Sequence, residues 1–197
     1  PGYGFYTVRV SWPPDGAPTL QHTTSLAVLP PAATDHPSEF GWSLPHADIP
    51  FTTPALLSLL KQAHVGWLEY PVLCDPTDTK AIDRLSALTD QLSAGGIEPV
   101  GVLDTVPTRF REQLSHKQNV TMADWFQRPD LWQPALEPLL SRLSLKMRYW
   151  RIGSEAVSHL ADLEKLVATI QDVRARVEGA GYFVRLGLSW DWLFEIP

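Results

Sequence analysis

The chain has 197 residues, 44% of them hydrophobic, with 16 basic against 22 acidic side chains and a formal charge of −6. This composition is globular, and an acidic balance without a basic cluster argues against a phosphate-tracking surface, so no nucleic-acid partner is expected. No apolar run reaches the roughly 20 residues that span a bilayer, and the opening residues do not read as a basic segment followed by an apolar one, so no membrane partner is expected either.

Cys74 is the single cysteine, which leaves no intrachain disulfide or thiolate zinc site. His22, His36, His64, His116 and His159 lack the spacing of a metal site, and the carboxylates match no calcium loop. No metal or cofactor is expected. The eight tryptophans are numerous for this length. An indole can lie against the apolar face of a pyranose, and it can equally fill a core.

In chain order, residues 3–12 (YGFYTVRVSW) alternate aromatic or branched with small or polar side chains, which predicts a strand with one buried face. The turn chemistry of PPDGAP separates it from a second strand over 23–29 (TTSLAVL). Two strands are marginal alone, so residues 1–30 read as the tail of a β-rich, sandwich-like domain. Residues 31–39 have no period and read as a linker.

From residue 40 the pattern becomes regular. FGWSL (40–44) is a short strand, and Thr53 followed by Pro54 predicts an N-cap and first helical position leading into ALLSLLKQAHV. VGWLEYPV (65–72) is the next strand. The run from Asp78 places Ile82, Leu85, Leu88 and Leu92 on one helical face and stops at Gly95-Gly96, before a strand over 97–104. A long loop then leads to a helix over 132–145, which Pro138 starts or kinks. MRYWRIGSE (147–155) is the fourth strand of this region. A stripe from Leu160 to Val177 predicts a helix, and YFVRLGLSW (182–190) is the fifth strand.

Strict strand and helix alternation predicts parallel strands joined by helical crossovers. An open doubly wound sheet and a (β/α)8 barrel of the TIM type both satisfy it. The barrel is favoured because no glycine-rich phosphate turn follows the first strand, and polar or aromatic residues end every strand. Residues 40–197 are therefore expected to be the N-terminal half of an α/β barrel, with five of its strands. The rest of the barrel, as a continuation or a second chain, is its expected partner.

The run Tyr149-Trp150-Arg151-Ile152-Gly153-Ser154-Glu155 is a strand ending in a glycine turn with a carboxylate just past it. Such a carboxylate points into a barrel mouth, or it serves a helix N-terminus. Retaining glycosidic cleavage needs a carboxylic acid to protonate the leaving oxygen and a second carboxylate, about 5–5.5 Å away, to attack the sugar.

YWRIGSE resembles the fourth barrel strand of the retaining glycoside hydrolase superfamily whose catalytic glutamates lie on strands 4 and 7. FGWSL and TTPALLSLLKQAHVGWLEYPV resemble the opening of β-xylosidase-like barrels, and the two N-terminal strands resemble the end of the β-sandwich that precedes such barrels in bacterial secreted proteins. The resemblance implies a secreted or periplasmic hydrolase of carbohydrate metabolism acting on O-glycosyl bonds of a polysaccharide or oligosaccharide. It makes Glu155 the general acid/base and places the nucleophile on a seventh strand beyond Pro197.

Ser154 stands where that family usually has the asparagine that bonds the sugar 2-hydroxyl. This departure motivates the alternative of a non-catalytic carbohydrate-binding or degenerate barrel. Glu69 and Asp104, at strand ends, either bond sugar hydroxyls or pair with Arg109, Arg111 or Arg151. Trp42 and His46 end the first strand and its loop; His46 is a ligand-binding imidazole or a surface residue. Trp190, Asp191 and Trp192 close the fifth strand, where one of the two indoles is expected to face a ligand while the other packs under the loop.

Overall fold

The computed structural model describes residues 2–12, 20–28, 38–45, 52–114, 120–153, 166–180 and 184–189. The chain divides into two compact units, Pro1–His36 and Pro37–Pro197. In the first, β1 (Gly4–Trp12) and β2 (Leu20–Val28) pair antiparallel from Gly4 against Val28 to Trp12 against Leu20. The second strand starts three residues before the first position the periodicity predicts, because Leu20, Gln21 and His22 continue the ladder. Phe5, Val10 and Leu26 of this hairpin are exposed.

The second unit runs β3 (Gly41–Ser43), α1 (Thr53–Gln62), β4 (Trp67–Pro71), α2 (Thr79–Ala94), β5 (Glu98–Leu103), α3 (Thr108–Gln113), α4 (Met122–Phe126), α5 (Pro129–Leu143), β6 (Tyr149–Ile152), α6 (Leu166–Ala180) and β7 (Arg185–Leu188). Its five strands form one parallel sheet in the order β3-β4-β5-β6-β7. Right-handed crossovers that always step in one direction lay all their helices on one face. The helix neighbours agree, since α1 lies beside α2, α2 beside α5 and α5 beside α6 in a single layer. A doubly wound sheet reverses strand order at a switch point, and there is none within these five strands. The winding is consistent with part of a barrel wall.

Alternation along the strands sorts the two faces. Leu68 and Tyr70 of β4, Leu103 of β5, and Trp150 and Ile152 of β6 are buried in a core shared with Leu56, Leu60, Leu92 and Leu139 of the helices. The Tyr70 hydroxyl reaches Thr89 Oγ1 at 2.7 Å, and Thr89 in turn donates to the Leu85 carbonyl, so this buried phenol is satisfied between β4 and α2. Burial holds its pKa well above the ordinary tyrosine range.

Helix boundaries follow their local chemistry, with three departures from expectation. The α1 N-cap is Thr52 rather than Thr53, and Pro54 lies in the first turn, where its missing N–H costs nothing. The loop before α5 contains two short helices. A Thr121/Asp124 capping box starts α4, and Phe110, Trp125, Phe126 and Trp132 stack in sequence with centroids 6.1, 5.3 and 5.9 Å apart. Finally, α5 begins at Pro129 and carries both Pro134 and Pro138 inside it. Each interior proline costs about 3 kcal/mol of helix stability, which burial of Leu131, Trp132, Ala135, Leu136, Leu139, Leu140 and Leu143 offsets at roughly 1.5–3 kcal/mol for each large side chain. By contrast α2 is as predicted. Asp78 caps it by accepting from the Ala81 amide at 2.9 Å, and Gly95 and Gly96 end it, Gly96 with φ +77°. Among the described residues no helix is long and apolar enough to cross a membrane.

Candidate functional site

The sheet face turned away from the helices carries the side chains that alternate with the core. Trp67 and Glu69 of β4, Val100 of β5, Tyr149 and Arg151 of β6, and Arg185 of β7 line an open cavity of 620 Å³. A glycine at position 41 permits part of this surface, because a Cβ there would run into the Trp67 indole.

Toward the C-terminal ends of the strands this face becomes charged. Glu69 is in register with Val100, and Val102 with Arg151, so the Arg151 side chain spans two strand spacings, about 10 Å, over β5 to reach Glu69. It closes an ion pair of 2.9 Å whose side chains are only 17% and 10% exposed. A pair so shielded from water is held by geometry, since desolvation offsets much of its Coulomb attraction. Asp104 directly follows β5 and keeps the parity of Val100 and Val102, which puts it on the same face and at the same end as Arg151.

The Asp104 carboxyl is half-buried, and its Oδ1 is buried without a hydrogen-bond partner. Burial raises its pKa. The Thr105 hydroxyl, the backbone amides of Asp104 and Thr105, and the Arg151 charge all pull it down, but by less in sum. A carboxyl whose folded pKa lies above its unfolded value stabilises the fold most when protonated, and that contribution is lost as pH rises through the folded pKa. The stability of the wild type measured relative to Asp104→Asn, by urea denaturation across pH 3–8, is therefore expected to fall as pH rises through and above the ordinary carboxylate range. An unchanging difference would contradict this.

The other predicted partners are engaged elsewhere. Arg109 lies 3.9 Å from Asp75, and Arg111 Nη2 donates to Thr108 Oγ1 at 3.3 Å. The hydrogen bonds from Thr77 hold the Asp75 carboxyl below the usual range. Beyond the end of β4, Cys74 is half-buried; burial, with Asp78 and Asp75 nearby, pushes its thiol up to about 11, so it stays protonated and unreactive at neutral pH.

Gly153 turns the chain as β6 ends, with φ +82°, a left-handed conformation that favours glycine. Its amide donates to the Leu103 carbonyl at 2.8 Å, and its carbonyl accepts from the buried Ser189 hydroxyl at 2.9 Å. The turn from which Ser154 and Glu155 continue is thus fixed from both neighbouring strands.

Of the residues singled out from sequence, the structure brings Glu69 and Asp104 to one face and one end of the sheet. Trp42 is in register with Leu68, has the opposite parity to Glu69, and packs against the hydrophobic core. His46, Ser154, Glu155, Trp190, Asp191 and Trp192 lie outside the described residues. Arg151 enters the sequence reading only as one of three candidate partners of Glu69 and Asp104, a pairing that the ion pair with Glu69 bears out, and Ser189 is not singled out there. For Arg151 the signal is present in the sequence, because Trp150 and Ile152 are apolar and turn Arg151 to the face opposite the core.

No protein-family model matches the sequence, and no curated protein matches it. Among solved structures, the chain is similar to a β-glucosidase from Thermotoga maritima in complex with glucoimidazole, at 14% identity and a TM-score of 0.48, over 67% of this chain. It is similar to the virulence factor SghA in complex with its substrate analog salicin, at 17% identity and a TM-score of 0.48, over 68%. A deoxynojirimycin complex of the Thermotoga maritima β-glucosidase gives 16% identity and a TM-score of 0.43, over 68%. This chain spans 35–36% of the length of those proteins.

Proposed function

We propose that residues 40–197 form part of a (β/α)8 barrel that hydrolyses O-glycosyl bonds with retention at the C-terminal rim of its sheet. The observation that carries this reading is the gathering of Glu69, Arg151 and Asp104 on the helix-free face at the strand C-termini, the end at which a barrel assembles its chemistry. Two residues past the Gly153 turn, Glu155 is the general acid/base. Its carboxyl protonates the glycosidic oxygen as a second carboxylate attacks the anomeric carbon, and it then takes a proton from the water that releases the sugar. Glu69 and Asp104 bond sugar hydroxyls, and an indole at position 190 or 192 supplies an apolar platform.

Ser154 favours a second reading, in which the same rim binds carbohydrate without cleaving it. A serine hydroxyl offers one donor where the asparagine amide offers two. A panel of p-nitrophenyl β-glycosides incubated with the full-length protein separates the two. Release of nitrophenol above the uncatalysed rate is expected for the enzyme; binding of the same sugars with no release would leave the binding module.

A further inference from the structure

We propose that Arg151 is a positioning residue of this rim, the fixed cation that holds Glu69 by a direct ion pair and acts on Asp104 through its charge. Only its consequence for catalysis rests on the glycosidase reading above.

Three observations converge on it. Its side chain crosses β5 to reach Glu69 at 2.9 Å, so one group ties the C-terminal parts of β4 and β6 together on the open face. Asp104 sits past the end of the strand lying between them, and the charged side chain acting on it is Arg151. Lastly, Arg151 is two residues before Gly153, whose turn is pinned to β5 by its amide and to β7 through Ser189.

The electrostatic consequence follows from the groups that face one another here: Glu69 from β4, Arg151 from β6, and the Thr105 hydroxyl beside Asp104. While Arg151 is in place, its charge favours the ionised form of Asp104, and Glu69 neutralises part of that charge. Removing the cation strengthens the preference of Asp104 for its proton, and removing the Glu69 charge weakens it. Neither effect follows from lost bracing alone.

The test is a carbon-detected NMR titration of the Asp104 carboxyl in the full-length protein, with the signal assigned by its loss in Asp104→Asn. Arg151→Met is expected to move the Asp104 midpoint to higher pH and Glu69→Gln to lower pH, while Arg151→Lys stays near the wild type. If Arg151→Met does not fold, Glu69→Gln, which keeps the arginine and the shape of its partner, decides. An Asp104 midpoint unmoved in folded Glu69→Gln and Arg151→Met overturns the proposal. With an aryl glycoside as substrate, Arg151→Met is expected to lower kcat/KM tenfold or more, about 1.4 kcal/mol, with a shifted pH profile, and Arg151→Lys to recover part of the loss. If the wild type turns over no glycoside, the glycosidase reading fails, and the titration still decides the role of Arg151.

Discussion

Replacing Glu155 with glutamine is expected to lower hydrolysis of an unactivated β-glycoside by roughly 10²–10⁴-fold, the usual contribution of a general acid/base. Glutamine has the same shape but can neither give a proton to the departing oxygen nor take one from water. The two steps separate by substrate. A nitrophenyl glycoside has a leaving group that departs without protonation, so its first step survives and the second stalls at the glycosyl-enzyme. Added azide needs no general base; it attacks the anomeric carbon, frees the nucleophilic carboxylate and leaves as the glycosyl azide. Restored turnover in azide is therefore the expected signature, with an unchanged circular dichroism spectrum. Wild-type turnover in the variant would reject the assignment.

The second large effect concerns stability. Arg151→Met leaves the Glu69 carboxylate in a site that is 10% exposed without the cation that pairs with it. Breaking a buried pair from one side costs about 3–5 kcal/mol, because the remaining charge stays desolvated after its cation is gone. For a unit of this size the melting temperature is expected to drop by roughly 10 °C. The double variant Glu69→Gln/Arg151→Met removes both charges and is expected to recover much of the loss. A single variant as stable as the wild type would show that the pair is solvated and carries little energy.

How much of this was legible in the sequence depends on which force decides each feature. The β-α alternation after residue 40 was readable because apolar periodicity and turn chemistry agree, as at α2, where Asp78 starts the helix and Gly95-Gly96 end it. The two short helices before α5 were not readable, since α3 and α4 are 6 and 5 residues long and are held by the packing of Phe110, Trp125, Phe126 and Trp132. The same core overrides local preference at Pro134 and Pro138.

At the site, Glu69 and Asp104 could be named from their places at strand ends, but not the partner each would find. Their partner follows from register, which joins β4 to β6 only through β5 and is invisible until the strands are paired. Trp42 shows the complementary failure. An indole at a strand end suits a sugar or a core equally well, and the parity it shares with Leu68 packs it against the core.

The most direct test is the proton NMR spectrum of the sugar first released when the full-length protein cleaves an aryl β-glycoside. Retention through a glycosyl-enzyme predicts the β-anomer first, followed by slow mutarotation to the equilibrium mixture. Initial release of the α-anomer, or no release of sugar from any glycoside in the panel, would contradict it.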